Sequence, residues 1–206
     1  MAKTTALFWD VGGVMLSNGW DRAGRRRAAE HFKLDWEEFQ DRHELVSTDF
    51  ETGRLTLEEY LQQTVFYCSR SFTRVDFRAF MFAQSKPLPE TLSIVERLAA
   101  SRKYLMATLN NESLELNRYR IEQFGLRKHF TAFLSSCFLG VKKPEHTIYR
   151  LASQITQRAP DECLFIDDRA LNLECAQLLG MRTIHYQNPA QLRQELQRHG
   201  VPVELG

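Results

Sequence analysis

The chain lacks the features that would tie it to a membrane, a polyanion or an oxidising compartment. No apolar run approaches the ~20 residues a membrane-crossing helix needs, so no membrane partner is expected. Twenty-seven Lys and Arg face 26 Asp and Glu, a formal net charge of +1, so no nucleic-acid partner is expected either. Cysteine is sparse: Cys68, Cys137, Cys163 and Cys175, with no C-x-x-C pair. Cys137 and Cys163 lie in or beside strand-like runs, where buried free thiols are expected, and a reducing, cytoplasmic setting fits them. The opening MAKTTALFWD has no long apolar segment followed by a small-residue cleavage site, so no signal peptide is expected. Internal repeats and low-complexity tracts are missing as well.

What is present is an ordinary globular composition, 43% hydrophobic and 26% charged over 206 residues. That length suits one large domain, or a domain carrying an insert. Short apolar runs predict strands at Ala6–Asp10, Tyr104–Leu109, Phe130–Ser135, Cys163–Asp167 and Arg182–His185. From Pro87 onward these runs alternate with helical patterns: PETLSIVERLAASRK, PEHTIYRLASQI and ALNLECAQLLG. The alternation predicts an α/β fold, a parallel sheet with helices on both faces in a Rossmann-like three-layer core.

Residues 16–87 read differently, with helical patterns, many aromatics and no convincing strand. Thr56 followed by Glu59 has the form of a capping box, and Leu57, Tyr60, Leu61 and Val65 fall on one side of the helix it opens. The expected organisation is therefore a core of residues 1–15 and 88–206, with a helical insert at 16–87 leaving just after Asp10. Ligands of open parallel sheets bind beyond the carboxyl ends of the strands, where such an insert would sit like a lid.

Three predicted strands end on polar groups: Asp10; Asn110 and Asn111, with Glu112 next; Asp167 and Asp168. GVKKPEHTIY adds Lys142 and Lys143 before a helix begun by Pro144. A parallel sheet would gather Asp10, Asp167 and Asp168 at one edge, where three carboxylates repel unless a cation joins them. An all-oxygen site suits Mg²⁺, and a lysine beside it adds charge for a phosphate dianion. A carboxylate held there stays ionised and can attack phosphorus.

Taken singly, each of these residues has a plainer reading, as a helix cap, a turn or a solvated charge. Their joint order resembles the haloacid dehalogenase superfamily of hydrolases. DVGGV partly matches the family's first motif, D-x-D-x-[TV]. TLNN stands where an apolar strand ends in Ser or Thr, often followed by Asn. KKPEHTIY matches the lysine motif, and IDDRALN the acidic pair. Within the superfamily these motifs are similar to those of the phosphatase domain of soluble epoxide hydrolase and of bacterial sugar-phosphate phosphatases. The resemblance implies Asp10 as nucleophile and Mg²⁺ ligand, and Gly12 as a ligand through its backbone carbonyl. It implies Asp168 as a metal ligand, with Asp167 as a ligand or beside it. Lys143, next to Pro144, would neutralise nucleophile and phosphate; Asn110 and Asn111 would bind the phosphate. Residues 16–87 would be the family's small helical cap.

Two positions depart from that pattern. Gly12 replaces the second Asp, whose general acid–base help is typically worth ~10²–10⁴-fold. Glu112, His31 and His43 are candidate substitutes, with ordinary surface or packing roles favoured for the histidines. Asn110 replaces Ser or Thr; a shifted register would use Thr108 instead. Arg22, Arg25, Arg26 and Arg27 read as a solvated helix face, with one of them able to reach a substrate anion, and Asn18 and Trp20 stand where lid would meet core. The expected function is Mg²⁺-dependent hydrolysis of a small phosphorylated metabolite through an aspartyl-phosphate. The alternatives are a catalytically weakened member that binds a phospho-ligand or a partner, and a metal-independent 2-haloacid dehalogenase. Oligomeric state and substrate are not specified by the sequence.

Overall fold

The computed structural model describes residues 3–203. Residues 1–2 and 204–206, the outer ends of the expected core, lie outside the described residues. All five predicted strands form, as β1 (Ala6–Trp9), β2 (Leu105–Thr108), β3 (Ala132–Phe133), β4 (Cys163–Asp167) and β5 (Arg182–His185). They make one parallel sheet in the order β3-β2-β1-β4-β5. The run expected over Phe130–Ser135 yields only a two-residue strand. Its C-terminal end turns into a short helix, α7 (Ser136–Leu139), so Cys137 lies on a helix rather than beside a strand.

Side-chain alternation along the strands builds two cores from one sheet. Leu7, Trp9, Leu164, Ile166 and Ile184 face one side, where α5 (Pro89–Ser101) and α10 (Pro189–Arg198) bring Ile94, Leu98, Leu192 and Leu196. Ala6, Phe8, Cys163 and Phe165 face the other, against Ile148 and Tyr149 of α8 (His146–Thr156) and Leu173 of α9 (Ala170–Leu178). These are the three layers.

Between β1 and β2 the chain forms α1 (Arg22–Phe32), α2 (Trp36–Glu51), α3 (Leu57–Thr64) and α4 (Arg74–Ala83). The capping box at Thr56 and Glu59 is present. The aromatic stripe packs a third core around Phe39, Tyr60, Phe77 and Met81, joined by Leu116 of α6 (Leu114–Gln123). The chain leaves and re-enters the sheet through one neck: Ser17 N donates to Lys86 O at 2.8 Å and Leu88 N to Met15 O at 2.9 Å. At the other side, Ser136 Oγ donates to Glu51 O at 2.6 Å, and Lys142 pairs with Glu51 at 3.0 Å. No helix among the described residues is long and apolar enough to cross a membrane.

Candidate functional site

The sheet order puts β1 in the middle, with the chain stepping from β3 across to β4 on its far side. That is a topological switch, and the crevice outside the strand ends there is where open α/β sheets bind ligands. Registry does the rest. Trp9 pairs with Ile166, and Asp10 N donates to Ile166 O at 2.9 Å, so Asp10 emerges beside Asp167. One carboxylate oxygen from each of Asp10, Asp167 and Asp168 falls within 4.8 Å of the others.

Lys143 joins this group. Its ammonium lies 3.1 Å from Asp10 Oδ1 and 2.6 Å from Asp167 Oδ2, with the lysine 3% exposed. Burial works against the charged amine, but the two carboxylates outweigh it and hold its pKa above the usual lysine value. Asp167 is spoken for: its Oδ1 also accepts from Arg169 N at 2.8 Å, and Asn172 Nδ2 donates to both Oδ1 and Oδ2, at 3.1 and 3.0 Å. Asp10 Oδ1 accepts from Val11 N at 2.8 Å. Burial pushes the Asp10 carboxyl up to about 7; Lys143 pulls against this, and Asp167 and Asp168 add to it. Burial, then Asp167, raises Asp168 too.

A hard divalent cation fits these residues. Asp168 Oδ1 is buried without a hydrogen-bond partner, an uncommon state for a carboxylate oxygen. Among the described residues nothing donates to the Gly12 carbonyl. Every donor on offer is oxygen, the choice of Mg²⁺ and its relatives. Gly13 makes room for the set: its φ is +78°, and a Cβ there would lie 2.8 Å from Asp168 Cγ.

The cleft above measures about 490 Å³ and is lined by Asp10, Gly12, Asn111, Glu112, Lys142 and Lys143, together with residues of α1, α2 and α6. The two asparagines part company here. Asn110, expected to seat a phosphate, does not line the cleft: it accepts from Ser135 Oγ at 2.8 Å and donates to Asn117 Oδ1 at 3.1 Å, bracing β2 against its neighbours. Asn111 does line it, and its amide grips the Lys143 backbone. Thr108 is fully buried within β2, with its hydroxyl unpartnered, and does not reach the cleft.

Position 12 has company that the sequence reading missed. A Cβ on Gly12 would meet Asn18 Oδ1 at 3.0 Å and Arg120 Nη1 at 3.6 Å. Arg120, 2% exposed, pairs with Glu112 at 2.9 Å and donates to Ser85 Oγ and Ser17 O. A buried guanidinium–carboxylate pair therefore stands beside the place of the expected second Asp. The signal was legible in LELNRYRI, where Asn117 and Arg120 interrupt a buried stripe formed with Leu116 and Ile121. The arginine cluster is exposed at Arg22, Arg26 and Arg27, with Arg22 also at the cleft, whereas Arg25 is the one turned inward: it is buried in line with Ala28 and Ala29 and lines the cleft. His31 is exposed and stacks on Phe80; His43 is buried, lines the cleft and bonds Tyr60. Trp20 packs in the third core while lining the cleft with Asn18.

A family model described as haloacid dehalogenase-like hydrolase matches residues 4–180. Over 168 residues the chain is 28% identical to Flavin mononucleotide hydrolase 1 of Arabidopsis thaliana, covering 80% of this chain and 66% of that one. It is 27% identical over 164 residues to Acyl-CoA dehydrogenase family member 10 of Mus musculus, covering 76% of this chain and 15% of that one. The chain thus spans only part of the length of these curated relatives. Among solved structures, a HAD family enzyme from Bacteroides thetaiotaomicron superposes with a TM-score of 0.76 at 21% identity, covering 90% of this chain and 95% of that one. The same enzyme in complex with magnesium and inorganic phosphate gives a TM-score of 0.73 at 21% identity, over 89% and 94% of the two chains.

Proposed function

Since the chain belongs to the haloacid dehalogenase-like hydrolases, we propose that it is a Mg²⁺-dependent phosphatase hydrolysing a small phosphorylated metabolite through an aspartyl-phosphate at Asp10. One observation carries the reading: three carboxylates converge within 4.8 Å, with a buried lysine bonded to two of them and one buried oxygen left over. The relative named as a flavin mononucleotide hydrolase and the neighbour solved with magnesium and phosphate support it.

In this reading Asp10, Asp168 and the Gly12 carbonyl would hold the cation, with Asp167 as a further ligand or as the anchor of Lys143. Mg²⁺ supplies Lewis-acid polarisation of the phosphoryl group and offsets the carboxylate charge. The free oxygen of Asp10 attacks phosphorus; the Asp10–phosphorus bond forms as the bond to the leaving oxygen breaks. Lys143 balances charge on the carboxylate and on the phosphoryl oxygens. Water then cleaves the aspartyl-phosphate, releasing inorganic phosphate and restoring Asp10. With no side chain at position 12, the leaving oxygen takes its proton from elsewhere, which favours acyl, anomeric or aryl phosphates. Residues 16–87 act as the cap over this cleft. The cytoplasmic setting is part of the proposal and rests on four cysteines without a paired spacing.

The test is a screen of phosphorylated metabolites with Mg²⁺. Asp10→Asn and chelation should each abolish turnover; activity surviving either would sink the mechanism. Gly12 also motivates two further readings. Ligand-induced thermal stabilisation without turnover across the panel would favour a binding member. Halide release from 2-chloropropionate without Mg²⁺ would favour a dehalogenase.

A further inference from the structure

Arg25 is a buried cation without a counter-ion. It is 7% exposed, and among the described residues no carboxylate lies within ion-pair distance of it. Its Nη1 donates to Trp20 O at 2.7 Å and its Nε to Gln40 Oε1 at 3.1 Å, both neutral acceptors. Nη2 has no protein acceptor, and Arg25 lines the cleft. The acids whose field reaches Arg25 are engaged elsewhere: Asp21 caps α1 through Gly24 N, and Glu51 pairs with Lys142. Burying a guanidinium with no anion is strongly unfavourable, because nothing compensates its lost hydration. A fold that accepts that cost at the wall of a ligand cleft has its counter-ion arrive with the ligand.

A second donor stands in the same wall. Trp20 Nε1 can only donate, and it does so to Tyr60 Oη at 2.9 Å. Tyr60 Oη shares a further hydrogen bond with His43 Nδ1 at 2.9 Å, and His43 also lines the cleft. When the phenol donates that bond, the imidazole N–H sits on Nε2. Burial, followed by the charges of Arg25 and Lys142, lowers the His43 pKa to about 3, so the ring is neutral at physiological pH.

We propose that Arg25, with His43 beside it, is a subsite for a second oxyanion, so that the substrate is a small phosphomonoester carrying a carboxylate or second phosphate remote from the phosphoryl group transferred at Asp10. The subsite rests on the phosphatase reading for what binds at the other end of the cleft. Arg25 touches the substrate's distal group and takes no part in bond cleavage; it sets specificity.

The experiment separates binding from turnover by using unreactive phosphonates. Alkylphosphonates of increasing chain length are compared by calorimetry, in Mg²⁺, with their terminal carboxylate and terminal phosphonate counterparts. A charge-assisted hydrogen bond corresponds to about tenfold or more in affinity. At one chain length the doubly anionic ligand should bind at least about tenfold tighter than its alkyl match, and whether the carboxylate or the bisphosphonate gains more identifies the oxyanion. Arg25→Met should bring the doubly anionic ligands down to the alkyl affinity, with Arg25→Lys in between. Equal affinities for matched ligands in the wild-type protein would overturn the subsite, whatever the variants do. An Arg25→Met effect equal on all ligands would assign Arg25 a structural role and overturn it too. If phosphonates discriminate as expected but no phosphate ester is hydrolysed, the phosphatase reading fails and the subsite stands. If no phosphonate binds, both fail.

Discussion

The side-chain amide of Asn111 brackets the backbone of Lys143: Oδ1 accepts from Lys143 N and Nδ2 donates to Lys143 O, each at 2.8 Å. The loop after β2 thereby fixes the loop that carries the site's lysine, 32 residues further on. In the proposed mechanism Asn111 acts on the chemistry through Lys143. Asn111→Ala should lower kcat by about tenfold, since a displacement near 1 Å can cost up to ~10² in rate. KM should change less than kcat. A parallel loss in a thermal melt of more than a few degrees with unchanged kcat would show a purely structural clamp.

The proposed metal site depends on the close packing of Gly13 against Asp168. Gly13→Ala combines a left-handed φ with a Cβ driven into the Asp168 carboxylate. Strain of this kind costs about 1–3 kcal/mol. The variant should melt lower and need a higher Mg²⁺ concentration for half-maximal activity; an unchanged Mg²⁺ titration would argue that Asp168 is not a ligand.

Asp10 makes the stability of the metal-free protein depend on pH. Its folded pKa, raised to about 7 chiefly by burial, exceeds the ordinary 3.8. Between these values the folded state holds a proton that the unfolded state has released, so this group's contribution is full below about pH 4 and is lost as pH rises through about 7. Melting in chelator should therefore fall across this window relative to Asp10→Asn, which lacks the titration. Added Mg²⁺, by binding the ionised form, should flatten the difference, and its affinity should weaken as pH drops below about 7. Identical pH profiles for the two proteins in chelator would refute the assignment.

Glu112 and Arg120 form a pair whose side chains are 10% and 2% exposed. Removing one partner of a buried pair typically costs about 3–5 kcal/mol. Arg120→Met should be the more damaging change, because it also strips donors from Ser17 O and Ser85 Oγ. Chemical denaturation of both single variants and the double variant measures the coupling; additive losses would mean the pair does not act as a unit.

Gly12→Asp tests the missing acid. The backbone there does not need glycine, and the new side chain asks only Asn18 to yield slightly, with Arg120 nearby to pair it. The variant should fold and raise turnover of alkyl phosphates by about tenfold, with little gain for aryl phosphates, whose leaving groups need no proton. Equal gains for both would contradict that account.

Much of this molecule was legible before any coordinates. Short apolar runs that alternate with helical patterns fit strands in a sheet covered on both faces, and β1, β2, β4 and β5 fall within a residue or so of their predicted bounds. Thr56 and Glu59 announced their helix because a capping box is a local bond pattern. The acids at the ends of β1 and β4 were visible because strand ends in a parallel sheet share an edge. Cooperation between distant segments was not legible. Asn110 and Asn111 are chemically identical neighbours, and only the packing of β3 and α6 against the first, and of the Lys143 loop against the second, sends one inward and one to the cleft. That one of four arginines could reach inward was legible, but which one was not, until the third core closed over the Arg25 side of α1. The sequence by itself determined the alternation of elements and the residue types at each strand end, because those follow from periodicity and local hydrogen bonding. Only the tertiary structure decided which charges meet, which stay unpaired and what stands beside Gly12, because burial and Coulomb energy depend on distances between segments that the chain order does not contain.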